Sequence, residues 1–255
     1  MLKEEKQMNF DELYHSLNIS PIHEPCSIHG NELMYINGKC GKCIEEKENI
    51  ENFNLLVKIH EKMKLKAGIP HRFLTSTFDN YECTTEHQKQ IKNDLKNFNY
   101  DKNICFLGKT GNGKTHLACA LLSKRISNTN FDKEDYSSFK LRFNVQVDCA
   151  YIKFYYLAHL KVKEFQEFKK IINKKFLIID EVGTSDSDFK NNLLFEIIDE
   201  RYDNILSTML ISNLPVDAFK SILTPASYSR IKENFIVFDT DWEDFRLIKS
   251  NTKFS

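Results

Sequence analysis

A run of residues from Gly108 to Thr115, Gly-Lys-Thr-Gly-Asn-Gly-Lys-Thr, ends in a cation followed by a hydroxyl. The spacing Gly108-x4-Gly113-Lys114-Thr115 is that of a phosphate cradle. Gly111 and Gly113 let the backbone bend and turn its N–H groups toward phosphate oxygens, with Lys109, Thr110, Asn112 and His116 completing the loop and its exit. Lys114 is placed to reach the β- and γ-phosphates, and Thr115 to set its hydroxyl on Mg²⁺. The residues before the loop, Asn-Ile-Cys-Phe-Leu-Gly, read as a short apolar strand. Those after it carry apolar residues at helical spacing, and a helix beginning near Lys114 adds its positive end. Strand, glycine turn and helix agree, so the expected ligands are a nucleotide and Mg²⁺.

A second cluster lies near the start. Cys26, His29, Cys40 and Cys43 form C-x2-H-x10-C-x2-C, four soft or borderline ligands suited to a tetrahedral Zn²⁺. Tyr35 and Ile36, between the pairs, are expected in a short hairpin strand. Four protein ligands leave no open position for water, so the ion is read as structural, contributing on the order of 10 kcal/mol to a segment with little core. A disulfide framework is the alternative that a reducing compartment disfavours, and chance clustering among seven cysteines is the other. Cys83, Cys105, Cys119 and Cys149 lack partnered spacing and are read as packing residues.

The remaining candidates sit at the ends of apolar runs. Phe-Leu-Ile-Ile-Asp-Glu, 176–181, reads as a strand buried on both faces and ending in two carboxylates. In an open α/β sheet this end faces the ligand, so Asp180 is assigned to Mg²⁺ and Glu181 to the attacking water. Ser207–Pro215 reads as another buried strand, with Asn213 beside the γ-phosphate or, as the plain alternative, in a turn. A helix is expected over 188–204, with Glu200 and Arg201 near its end. Arg230, on a short helix before a final strand Asn-Phe-Ile-Val-Phe, is either a surface charge or a residue reaching a neighbouring subunit's nucleotide. Residues 160–175 hold six lysines interleaved with Phe165 and Phe168. They read as an amphipathic helix, with the aromatics in the core and some of the lysines on a phosphate backbone.

Composition bounds these readings. Net charge is zero and 41% of residues are hydrophobic, so an ordinary soluble protein is expected. Residues 1–60 carry a net −4 and the rest +4, a modest asymmetry consistent with two modules or with ordinary surface variation. No run approaches the ~20 apolar residues of a membrane span, and no signal peptide is recognised, so a cytoplasmic protein is expected. The expected organisation is a zinc-binding module over 1–50, a linker helix over 51–75 within a helical 44–68 pattern closed by Gly68, and an α/β domain over 76–255. Phe10, Leu13, Leu17 and Ile19 form an apolar stripe for docking or for packing on the zinc module.

The stretches 68–81, 108–118, 176–183, 197–202, 210–213 and 241–246 together resemble the DnaC/DnaI family of replicative-helicase loaders, within the IstB-like AAA+ ATPases. The resemblance covers roughly the last three-quarters of the chain. It implies a P-loop AAA+ domain with a parallel central sheet flanked by helices and no C-terminal lid. It implies Asn213 as sensor, Arg230 as a finger acting in trans, and Arg201 as a second interface arginine. The standard sensor role of Arg246 does not carry over without a lid. Implied partners are a DnaB-type helicase, single-stranded DNA and further copies of the chain, with no membrane. The front module resembles the C-x2-H-G…C-x2-C segment of some loaders. Residues 126–145 are longer and more polar than the family's connection. Two rival readings are a transposition accessory ATPase with duplex DNA and a transposase as partners, and a zinc-dependent adaptor with little turnover.

Overall fold

A computed structural model describes residues 27–28, 35–36, 39–128, 147–184, 187–240 and 242. The chain divides into two compact units, Met1–Leu56 and Val57–Ser255. In the first, β1 (Tyr35–Ile36) pairs antiparallel with β2 (Lys39–Cys40), so the expected hairpin is present. Helix α1 spans Gly41–Lys66, starting before and ending short of the 51–75 linker expected from sequence. Its last turns belong to the second unit and bury Ile59 and Met63 there, with Ala67 buried just after the helix.

The second unit is built around a five-stranded parallel sheet. Its strands are β3 (Asn103–Leu107), β4 (Cys149–Lys153), β5 (Phe176–Val182), β6 (Ser207–Ser212) and β7 (Phe235–Asp239), in the order β4-β5-β6-β3-β7. The long apolar runs follow from this arrangement: a parallel sheet covered by helices buries both faces of its central strands. Ile104 to Leu107, Phe176 to Ile179 and Met209 to Ile211 are all nearly inaccessible. The helices are α2 (Glu86–Lys96), α3 (Lys114–Ser127), α4 (Phe154–Lys163), α5 (Phe165–Ile172), α6 (Asp188–Asp203), α7 (Val216–Ser221) and α8 (Pro225–Asn234). Helix α2 starts with a reciprocal cap in which Thr85 and Gln88 each accept the other's backbone N–H. One face of the sheet meets Phe168, Ile172, Leu193, Ile197 and Phe219 in a continuous core. Cys105, Cys119 and Cys149 are buried, as packing residues should be, and burial pushes each thiol above its ordinary range.

The stretch 160–175 departs from the single helix read from its sequence. The chain turns at Glu164 (φ −138°, ψ 60°), giving two short helices. That turn re-aims α5 so that Phe168 and Ile172 enter the core while Phe165 stays at the surface. Residues 129–146, which hold most of the polar insertion, lie outside the described residues. So do Arg246 and the segment to which the absence of a lid refers.

Candidate nucleotide site

The carboxyl ends of β3, β4, β5 and β6 lie along one side of the sheet, and the sequence candidates converge there. The loop from Gly108 to Gly113 closes onto α3 with Gly113 in a left-handed conformation (φ 84°) as the residue before the helix. A Cβ at Gly113 would lie 2.6 Å from the Tyr81 ring, so glycine is required twice over, by conformation and by space. Lys114 is 4% exposed. Its ammonium donates to Gly108 O at 2.7 Å, Asn112 Oδ1 at 2.9 Å and the Lys109 carbonyl. Burial brings its pKa down to about 8, with the Asp180 charge opposing the change.

Opposite the loop, Asp180 is almost fully buried. Thr115 Oγ1 donates to its Oδ2 at 2.9 Å, across 65 residues of chain, and the Glu181 N–H donates to its Oδ1 at 2.7 Å. The β5–β6 register is irregular between Ile179 and Val182, and Glu181 has φ 60°. A non-glycine residue in this region costs about 1–3 kcal/mol, held here by the surrounding sheet. At this irregularity the successive carboxylates find separate partners, Asp180 with Thr115 and Glu181 with Lys153. A glycine-lined loop, a lysine, and a hydroxyl–carboxylate pair together fit a phosphate chain and its Mg²⁺. Lys114 would meet the phosphates; Thr115 and Asp180 would hold the ion.

Two neighbours were missed in the sequence. Tyr151 Oη donates to Asp180 Oδ2 at 2.6 Å, and Lys153 Nζ pairs with Glu181 Oε1 at 2.9 Å. Burial first, then the adjacent Asp180 charge, push the Tyr151 phenol far above its ordinary range, so it remains a donor. Both residues lie on β4, where Lys153 is in register with Asp180. The available signal was the apolar run Cys149–Ile152 before a helix, a further strand end facing the same crevice.

Other candidates have different surroundings. Asn112 is a strap: its amide donates to the Thr240 carbonyl and, at 2.9 Å, to Thr240 Oγ1, while its own carbonyl accepts from Tyr81 Oη and from Trp242 Nε1 at 2.8 Å. The ring of His116, at the exit of the loop, meets Thr77 O at 3.1 Å and Asn80 Oδ1 at 3.0 Å, bracing the segment before α2. Lys109 and Thr110 are exposed on the loop, and Asn213 is exposed immediately after β6. Its neighbours link the two key segments: Ser212 Oγ donates to Val182 O at 2.6 Å, and the Gly108 N–H to Leu214 O at 3.0 Å.

The arginines separate sharply. Arg201 is 1% exposed. It donates to Thr208 Oγ1 at 2.8 Å, Lys174 O at 2.9 Å and the carbonyls of Ile172 and Ser207. An interface role is therefore corrected to a structural one: a guanidinium enclosed by these acceptors presents nothing to a neighbour. Arg230, partly exposed on α8, pairs with Asp199 and lies over the rings of Phe195 and Tyr202. Within 160–175, Lys161 pairs with Glu196, Lys169 with Glu200 and Lys170 with Glu167, and Lys174 donates to Val147 O.

Of the zinc candidates, Cys26 and His29 lie outside the described residues. Cys40 ends β2 and Cys43 falls in the first turn of α1. Among the described residues no group of three or more His, Cys, Asp or Glu is placed to hold a metal, and no helix is long and apolar enough to cross a membrane.

The family model described as IstB-like ATP binding protein matches residues 56–247. The replicative helicase loader DnaC of Buchnera aphidicola subsp. Baizongia pistaciae is 26% identical over 236 residues, covering 89% of this chain and 92% of that protein. An insertion sequence IS232 putative ATP-binding protein of Bacillus thuringiensis subsp. berliner is 29% identical over 181 residues, covering 67% of this chain and 66% of that one. Among solved structures, the DnaC helicase loader superposes with a TM-score of 0.51 at 25% identity, covering 68% of this chain and all of that one.

Proposed function

We propose that this chain, which belongs to the IstB-like ATP-binding family, is an ATP-dependent loader of a replicative ring helicase onto single-stranded DNA. The observation that carries the reading is the similarity to a DnaC loader along nearly the whole of both chains, joined to the meeting of Thr115 with Asp180 beside the enclosed Lys114. Lys114 neutralises phosphate charge. Thr115 and Asp180 hold Mg²⁺, which lowers the charge on the phosphate chain when bound. Glu181 accepts a proton from the attacking water, and Asn213 orients that water. Lys153 shares Glu181 in the resting geometry, so the base works once that pair opens. Arg230 acts in trans after release from Asp199, making hydrolysis dependent on self-association.

In this reading the first unit is the helicase-docking module, with Zn²⁺ held by Cys26, His29, Cys40 and Cys43. Single-stranded DNA runs along the exposed rings of Tyr155 and Tyr156, the latter stacked with His159, where bases can stack independently of sequence. The internal pairing of four lysines in 160–175 favours this ring face over the lysine run. The rival, a transposition accessory ATPase, draws support from the IS232 relative. Co-purification with the organism's own replicative helicase, with ATP present, separates them. Capture by the intact protein and loss with Cys40→Ser/Cys43→Ser supports the loader and its zinc module. Capture of a transposase, with none of helicase, overturns it.

A further inference from the structure

We propose that Tyr151 is a positioning residue for the divalent ion of the ATP site, holding the Asp180 carboxylate so that Oδ2 faces Thr115. The inference rests on the ATP-site reading above. Asp180 accepts three hydrogen bonds: the Glu181 N–H on Oδ1, and the Thr115 and Tyr151 hydroxyls on Oδ2. The first comes from the next residue and moves with it. Thr115 is itself assigned to the ion. The phenol is the one partner of these three that lies outside both β5 and the loop–α3 segment, and it is fixed by an independent part of the fold.

That part is the edge of the sheet. β4 is an edge strand, and the Tyr151 N–H is capped by Ala67 O at 2.7 Å, immediately after α1. Gly68, at φ 81°, lies against the Tyr151 carbonyl, where a Cβ would approach within 2.4 Å. On the other side β4 is locked to β5, with Tyr151 beside Ile178 and Lys153 beside Asp180. Backbone pinned on both sides and a buried ring make the phenol a stationary donor. A stationary donor to a ligating carboxylate raises ion affinity by removing carboxylate orientations that cannot bind.

The test uses the full chain with ADP. Mn²⁺ binding is titrated by electron paramagnetic resonance for the parent and for Tyr151→Phe, and ADP affinity is measured for both in EDTA. The substitution removes one oxygen and keeps the ring. Equal ADP affinity in EDTA, with Mn²⁺ bound on the order of tenfold more weakly by the variant, is the expected result. In a separate assay with ATP, the variant should need more Mg²⁺ than the parent for half-maximal turnover. Indistinguishable Mn²⁺ affinities overturn the inference, as does an equal loss of ADP binding in EDTA, which would mark the ring as a packing element. If the parent itself binds no ADP, the ATP-site reading falls and this inference with it.

Discussion

Lysine does two kinds of work in this molecule. At the carboxyl ends of the strands, Lys114 is enclosed by loop oxygens, and the nearby Asp180 is enclosed by hydroxyl and amide donors. On the α4–α6 surface, Lys161 and Lys169 each meet one glutamate in partly exposed pairs. Both regions are charged, but desolvation differs, and it is desolvation that gives a charge large consequences. A lysine-rich segment is thus weaker evidence for a ligand than one lysine whose charge has been drawn into a loop.

The sharpest way to break this comparison is Lys114→Ala. Loss of the enclosed cation should weaken ATP binding on the order of a hundredfold or more, measured by calorimetry; unchanged affinity would remove the basis of the contrast. Next comes Arg201→Met, which leaves several buried acceptors unpaired and should lower unfolding stability by on the order of 3 kcal/mol in a denaturant titration. A drop no larger than that of a surface pair would show that burial is a poor guide here.

The pH dependence of binding tests the same idea at Lys114 directly. Its free-state pKa is lowered to about 8, and bound phosphate raises it, so binding takes up a proton above that pH. ADP affinity measured without divalent ion should therefore fall as pH rises past about 8, and Lys114→Arg should flatten the profile. The smallest effects belong to the surface. Lys161→Ala and Lys169→Ala should each change stability by less than about 1 kcal/mol, with ATP affinity unaltered; larger losses would give those pairs a role beyond packing.

Much of the site was legible because its segments are local. The loop 108–115 needs only its own glycines and the flanking strand and helix, and Phe176–Glu181 shows itself as a buried strand ending in acids. Arg201 was not legible: near the end of a helix it resembles many surface arginines, and only the packing of α6 against β6 and the α5–β5 connection encloses it. The His116 ring was not legible either, since its contacts with Thr77 and Asn80 depend on where the segment before α2 lies in space. The break at Glu164 was hidden by continuous helical spacing on both sides of it.

Residue types and spacing by themselves determined that a glycine loop joins a strand to a helix at Lys114, that a strand ends in two carboxylates, and that the core domain is α/β. These follow from short-range backbone and burial rules acting within a dozen or so residues. Tertiary structure alone decided which side chains complete the site. Tyr151 and Lys153 meet Asp180 and Glu181 because β4 lies beside β5 in parallel register, and Asn112 is strapped to Thr240 across 128 residues of chain. Such contacts depend on strand order and on where separate segments end in space, and no local pattern encodes either.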